Sequence, residues 1–183
     1  MPQEEVKILS RSLVDNLVAI RQEFAESADL TIREFKITNS NAAILSLEGM
    51  VNKETISHSI LNPIVGAPIL ETDPAEKLVF IRDHVLSTAE QVQLVDLDSV
   101  IMRLMVGFAI LAIDGCDFML AFGVQGFAYR SVSEPSNEVM QRGSREGFVE
   151  PIQINTAMIR RRLRTPDLKF ERLVVGSVSQ TPV

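Results

Sequence analysis

Residues that usually carry catalysis or hold metal ions are scarce in this chain. Its 183 residues include no tryptophan, one cysteine and two histidines. A single cysteine, Cys116, excludes an internal disulfide and favours a reducing compartment. Neither His58 nor His84 belongs to a recognisable metal-ligand motif, and no serine sits in a nucleophile elbow. We therefore expect no metal, no cofactor and no enzymatic activity.

The chain also has fewer positive than negative charges, and its apolar runs are short. A net charge of −6 argues against nucleic-acid binding, which needs an excess of lysine and arginine. The longest apolar run, from Leu104 to Ile113, is about half the roughly 20 residues that a membrane-spanning helix needs. The first residues, MPQEEVK, lack the apolar region of a signal peptide. These features predict a soluble chain that starts without a leader and is large enough to bury a core.

The first part of the chain alternates helix and strand patterns. Apolar residues at three- and four-residue steps predict an amphipathic helix from Glu4 to Phe24. Residues Ile32–Ile37 and Ala42–Leu47 have strand patterns, and the turn-forming residues Thr38–Asn41 would join them into a hairpin. A further helix is expected after Asn52.

Two aspartates mark helix starts further along. Asp73 stands before a proline and predicts a helix that runs to about Ala89. Asp96, after a short strand at Val92–Val95, is placed to cap another helix that ends at Gly107.

The apolar runs Phe108–Ile113 and Cys116–Phe122 predict a second hairpin. Asp114 and Gly115 between them are typical of a two-residue type I′ turn. Because nearly every position of both arms is apolar, the sheet should be covered on both faces. The predicted class is α/β, mixed, with antiparallel hairpins and with helices packed on a small mixed sheet. A parallel nucleotide-binding sheet is disfavoured, because no glycine-rich turn joins a strand to a helix.

The end of the chain contains one more helix and one more strand. Glu150 and Pro151 open a helix that runs to about Leu163, since the residue before Pro166 avoids the helical conformation. Leu168–Ser177 has a strand pattern. The predicted units are a first α/β subdomain at 1–130, a charged linker loop and helix at 131–166, and the truncated start of a second subdomain at 167–183.

One segment, Ser133 to Pro166, has charges and glycines that core packing does not explain. It reads SEPSNEVMQRGSREGFVEPIQINTAMIRRRLRTP. This segment resembles the GerA-type spore germination proteins, the A subunits of germinant receptors. They carry the pattern EP-x-x-E-x-x-x-RG-P-REGF-x-E, then an asparagine and a helix ending in arginines. Ser144 departs from this pattern, which usually has proline there. The matching residues are Glu134, Pro135, Glu138, Arg142, Gly143, Arg145, Glu146, Gly147, Phe148, Glu150, Asn155, Arg160, Arg161 and Arg162.

The resemblance implies the N-terminal domain of a germinant receptor A subunit. Such a domain would lie on the cytoplasmic, spore-core side of the spore inner membrane, where the full-length protein is expected. It would act with the B and C subunits in nutrient sensing, signal transmission and receptor assembly, and the motif residues would serve assembly or signalling. A second possibility stays open, in which this domain itself holds an amino-acid or sugar germinant.

Charges of the motif have a structural interpretation as well. Arginines in the last turn of a helix complement its dipole and its free carbonyl groups. Arg142 and Arg145 are placed to pair with Glu134 and Glu146 in a network that would fix the linker helix. Nucleotide binding at the Gly143 loop is disfavoured, because the lysine and serine or threonine of a P-loop are missing.

The last segment, Phe170 to Val178, is predicted to expose an unpaired strand edge. Such an edge is a template for pairing with another strand. We expect it either to dock on an edge of the first sheet or to pair with a second copy, which would give a homodimer.

Overall fold

A five-stranded antiparallel sheet organises the fold. The computed structural model describes residues 6–86, 88, 90–126, 147–178 and 180–182. The strands of the sheet are β1 (Leu30–Ile37), β2 (Ser40–Leu47), β3 (Gln91–Leu94), β4 (Phe108–Ile113) and β5 (Met119–Gly123). Their order is β1-β2-β4-β5-β3, and all four ladders are antiparallel. A separate pair joins β6 (Val174–Val175) to β7 (Thr181–Pro182).

Helices pack on this sheet and follow it. They are α1 (Leu13–Glu23), α2 (Lys53–Ile56), α3 (Asn62–Gly66), α4 (Pro74–Phe80), α5 (Leu97–Met105) and α6 (Ile152–Arg162). Two π-helical segments, Ser57–Leu61 and Ile81–Val85, continue α2 and α4. In the part of the chain that the structure describes, no helix is both long and apolar enough to cross a membrane.

Both faces of the sheet are buried, which explains the unbroken apolar runs in β4 and β5. Phe108 and Ile110 of β4 point into a core shared with α1 and α5. Ala109 and Leu111 point into a second core with the helices between residues 53 and 85. The predicted coverage of both faces and the mixed α/β class are confirmed.

Helix starts follow the capping signals in the sequence. The Asp96 carboxylate accepts a hydrogen bond from the Ser99 N–H at 2.7 Å, and the Asp73 carboxylate accepts one from the Ala75 N–H at 2.9 Å. Gly107 follows α5 with a φ of 86°, the left-handed conformation that favours glycine. These predicted starts and this helix end are therefore confirmed.

Two helix boundaries were wrong. Helix α1 begins at Leu13 rather than Glu4, because Ser12 caps it and the N–H of Leu9 is bound to the carbonyl of Val95 at 3.1 Å. Lys7 and Leu9 are thereby held beside Val95 and Leu97, and Glu4, the predicted start, lies outside the described residues. The helix that opens at Asp73 stops at Val85, where Leu86 becomes extended; Ala89, its predicted end, lies outside the described residues.

The turn between β4 and β5 is also different from the prediction. Only Gly115 has a positive φ, 91°, whereas a type I′ turn needs two such residues. Asp114 instead binds two other segments of the chain. Its N–H donates to the Asn41 carbonyl, and its carboxylate accepts a hydrogen bond from the Leu13 N–H at 2.9 Å. Strand β5 begins at Met119 rather than Cys116.

Cys116 lies buried in the second core. Burial, followed by the nearby Asp73 and Asp117 carboxylates, raises the pKa of its thiol to about 12. The thiolate is the reactive form, so the native thiol should resist modification at pH 8. We expect a disulfide reagent such as DTNB to label Cys116 at least roughly 100-fold faster in urea than in buffer. Equal rates would show that the site opens readily.

Candidate functional site

Half of the resemblance motif can be placed in the structure. Gly147, Phe148 and Glu150 form the approach to α6, and Asn155 with the arginine run lies on the helix itself. Glu134, Pro135, Glu138, Arg142, Gly143, Arg145 and Glu146 lie outside the described residues. The paired network proposed for four of them therefore stays a prediction, as does the division into subdomains.

Asn155 holds the approach segment against α6. Its Oδ1 accepts from the backbone N–H of Val149 at 2.8 Å, and its Nδ2 donates to the Val149 carbonyl at 2.7 Å. These two bonds use both functions of one amide and fix the chain just before the helix. Asparagine is needed for this, because an aspartate has no N–H to donate.

Arg160 is the most buried charge of the described residues. Its side chain is 0% exposed and lies beside Asp29, which is 4% exposed. Nε donates to Oδ2 of Asp29 at 2.9 Å and Nη2 to Oδ1 at 2.9 Å, the bidentate geometry of a strong pair. Ser27 completes the arrangement, because its hydroxyl donates to Oδ1 of Asp29 at 2.7 Å.

The same guanidinium binds the chain that follows α6. Its Nη1 donates to the carbonyls of Thr165 and Leu168, each at 2.9 Å. Phe170 lies under the guanidinium with its ring centre 4.9 Å away, a cation–π distance. One side chain thus joins α6, the start of β1 and the tail after the helix. We call Ser27, Asp29, Arg160 and Phe170 the α6 junction.

Backbone contacts strengthen the α6 junction. The N–H of Ala28 donates to the Phe170 carbonyl at 2.8 Å, and the Phe170 N–H donates to the Ser27 hydroxyl at 2.8 Å. The tail therefore runs beside the residues that precede β1. Of the predicted strand Leu168–Ser177, only Val174–Val175 forms a strand, because Phe170 is bound to Ser27 and Ala28 instead.

The burial of Arg160 was not predicted from the sequence, where it stands among the arginines at the end of the helix. The helical spacing held the signal: Arg160 follows the buried Ala157 by three residues, which places both on one helix face. Arg164, which lies just beyond the end of α6, is exposed and donates to the Arg161 carbonyl at 3.2 Å. What the sequence alone could not supply was Asp29, 131 residues away.

Helix α6 docks on the turn after β2 at Gly49. This glycine has a φ of 78°, and a Cβ atom there would lie 2.7 Å from the Gln153 carbonyl oxygen and 2.8 Å from the Ala157 Cβ. Real Cβ atoms do not approach other atoms so closely. The close approach of α6 to this turn therefore depends on glycine.

Glu48, beside that turn, binds two cations. Lys53 Nζ lies 2.8 Å and Arg172 Nη2 2.9 Å from its two carboxylate oxygens. Partial burial acts to raise the pKa of the Glu48 carboxyl, but the hydrogen bonds and charges of Lys53 and Arg172 outweigh it and hold the pKa below its usual value. Glu48 thus connects the tail to the end of β2.

This contact should make the docking of the tail depend on acidity. A carboxyl whose pKa is lowered on folding stabilises the fold above its ordinary pKa of 4.5, and the contribution is lost as pH falls through the lower folded value. We expect Glu48→Gln to melt below the wild type at pH 7, and the difference in melting temperature to shrink as the pH falls below 4.5. Thermal melts of both proteins between pH 3 and 7 test this; a constant difference would contradict it.

A groove lies between α6 and the turn that carries Gly49. Its volume is about 320 Å³. Charged side chains of both signs line it, with Glu48 and Lys53 on one wall and Gln153 and Arg161 on the other. It could therefore accept a small ligand with both a carboxylate and an ammonium group.

The described residues offer few other candidates for a catalytic or metal-binding site. The described residues contain no group of three metal-ligating side chains. His58 and His84 are exposed in the two π-helical segments, and His84 stacks on Phe80.

Comparison with known proteins gives a consistent result. The family described as Bacillus/Clostridium GerA spore germination protein matches residues 18–183. The chain is 32% identical to spore germination protein KA of Bacillus subtilis (strain 168) over 184 residues, which cover 99% of this chain and 34% of that protein. It is 30% identical to the uncharacterized membrane protein YfkQ of the same organism, over 96% of this chain and 34% of that protein.

A solved structure is similar as well. It is the N-terminal domain of the A subunit of the Bacillus megaterium spore germinant receptor GerK3, with a TM-score of 0.73 and 26% identity. The match covers 98% of this chain and 65% of that one. The chain spans about a third of the length of the curated relatives named above.

Proposed function

The chain belongs to the Bacillus/Clostridium GerA family of spore germination proteins, and we propose that it is the N-terminal domain of a germinant receptor A subunit. The observation that carries the proposal is the match of 98% of the chain to the same domain of GerK3. The motif before and within α6, read from the sequence, supports it independently.

We further propose that this domain transmits a conformational change and performs no catalysis. A domain transmits a change only if it has two arrangements that a ligand or partner distinguishes. The α6 junction suits such a role, because Arg160 ties the tail, α6 and β1 together through one guanidinium. A displacement of α6 would therefore also displace the residues that follow it.

The setting of the complete protein is part of the proposal. We infer that the B and C subunits of a receptor are its partners and that it resides in the spore inner membrane with this domain on the cytoplasmic side. The relative named a membrane protein, three times as long as the matched region, supports a membrane setting. Amino acids and sugars are the germinants that the resemblance suggests.

The charged groove beside α6 favours a second candidate function. A zwitterionic amino acid could place its carboxylate near Arg161 and its ammonium group near Glu48, both of which line the groove. In that case, this domain would hold the germinant itself. Ligand-observed NMR of amino acids and sugars with the chain, and with Gln153→Ala as the groove variant, tests this. Saturable binding that Gln153→Ala weakens would support it.

The transmission role is tested in the full-length protein. We propose to compare spores that carry Arg160→Lys with spores that carry Arg164→Lys, which keeps the same charge on the exposed neighbour. Lysine cannot reproduce the bidentate contact of Arg160 with Asp29. The first variant should slow the fall in optical density after nutrient addition at unchanged protein level, and the second should not. Normal germination with Arg160→Lys would contradict the role.

A further inference from the structure

Strand β1 forms an open edge of the sheet. Among the described residues, only β2 pairs with it. The two-residue turn places Ile37 opposite Ser40, and the Asp29 carbonyl accepts from the Glu48 N–H, so the odd-numbered residues bond to β2. The backbone N–H and C=O groups of Ile32, Glu34 and Lys36 therefore point away from the sheet.

An apolar surface on α1 adjoins this edge. Val14 and Val18 are 67% and 46% exposed and lie four residues apart, on one face of the helix. A groove of about 200 Å³ runs from Val14 to Glu34 and Phe35 of β1. The two valines and the β1 edge thus form one continuous surface, which we call the β1 edge surface.

The sequence of β1, LTIREFKI, is complementary to itself in one register. A twofold axis normal to the sheet relates two antiparallel copies of β1 that turn the same face to the same side. Even-numbered residues then lie opposite even-numbered residues, and odd-numbered residues opposite odd-numbered ones. Centring the axis on Phe35 places Glu34 of each copy opposite Lys36 of the other. Centring it on Arg33 or on Glu34 instead brings like charges face to face, which is unfavourable.

The favourable register also satisfies the backbone. Glu34 and Lys36 are both residues whose N–H and C=O groups point outward, so each opposed pair can exchange two hydrogen bonds. Phe35 meets its own copy at the axis, and aromatic pairs across strands are stabilising. Every register that this axis allows satisfies the outward-pointing backbone groups, and the charges and the aromatic contact select the one centred on Phe35.

We propose that the β1 edge surface binds a second copy of this chain. Pairing would join two five-stranded sheets into one of ten strands and bring α1 of each copy, with Val14 and Val18, next to its counterpart. The overlap spans only a few residues around Phe35, so the dimer is weak and concentration-dependent. The surface differs from the terminal strand, where Val174–Val175 already pairs with Thr181–Pro182.

A charge exchange tests the dimer. Sedimentation velocity of the chain over a concentration series should show reversible dimerisation. Glu34→Lys and Lys36→Glu, each alone, put like charges opposite each other twice and should weaken the dimer at least tenfold, whereas the double variant restores opposite charges and should recover it to within about threefold. Glu54→Lys, an exposed residue of α2, makes the same change in net charge as Glu34→Lys and should have no effect.

Melting temperatures of the variants separate association from folding, since Arg21 lies 3.8 Å from Glu34 within one chain. A chain that stays monomeric up to about 1 mM would overturn the proposal. So would a dimer that both single variants leave unchanged, because another surface would then hold it. Recovery in the double variant, with unchanged melting temperatures, is the result that supports this register.

Discussion

Arg160→Ala should destabilise the fold by about 3–5 kcal/mol, because it leaves the Asp29 carboxylate buried without its partner. Of the contacts among the described residues, the Asp29 carboxylate keeps the hydrogen bond from Ser27, and the carbonyls of Thr165 and Leu168 lose a shared donor. For a chain of this length, the melting temperature should fall on the order of 10 °C. Thermal unfolding followed by circular dichroism measures the change.

Two comparisons isolate the buried pair. Arg164→Ala removes an exposed arginine of the same helix end and should change stability by less than about 0.5 kcal/mol. The double variant Asp29→Leu with Arg160→Met replaces both charges by apolar groups, so it should be more stable than Arg160→Ala alone. If Arg160→Ala and Arg164→Ala have the same melting temperature, the α6 junction does not stabilise the fold.

Local signals in the sequence predicted most of the sheet and the helices that cover its two faces. The hairpin of β1 and β2, the caps at Asp73 and Asp96 and the burial of both sheet faces follow from short-range patterns. Turn and capping residues act within a few positions of themselves, so one chain segment is enough to recognise them.

The candidate site was harder to predict, because the residues that contact each other there are far apart in the sequence. The motif identified α6 and its arginines, but not which arginine is buried, since Asp29 had no distinguishing pattern before β1. Gly49 was missed for the same reason: only the docked helix shows why a Cβ atom is excluded. The predicted ends of strands and helices were also wrong where a residue bonds to a distant part of the chain. Asp114, for example, binds the start of α1 and does not close a type I′ turn.

Gly49→Ala should undock α6 from the sheet layer. Alanine strains the left-handed backbone by about 1–2 kcal/mol. Its Cβ also meets the Gln153 carbonyl at 2.7 Å and Ala157 at 2.8 Å, so the helix has to shift. Overpacking of this kind costs a further 1–3 kcal/mol or so. Because Arg160 lies three residues after Ala157, a shifted helix also pulls its guanidinium away from Asp29.

Gly66→Ala provides the matched control for this prediction. Nothing lies within 4 Å of a Cβ atom at Gly66, and its φ is not positive, so alanine there should be neutral or stabilise the chain by up to about 1 kcal/mol. Hydrogen exchange should show α6 and the tail through Phe170 losing protection in Gly49→Ala, while β4 and β5 remain protected. Equal protection of α6 in both variants would mean that the helix reaches its position without the space at Gly49, and that the α6 junction alone determines its docking.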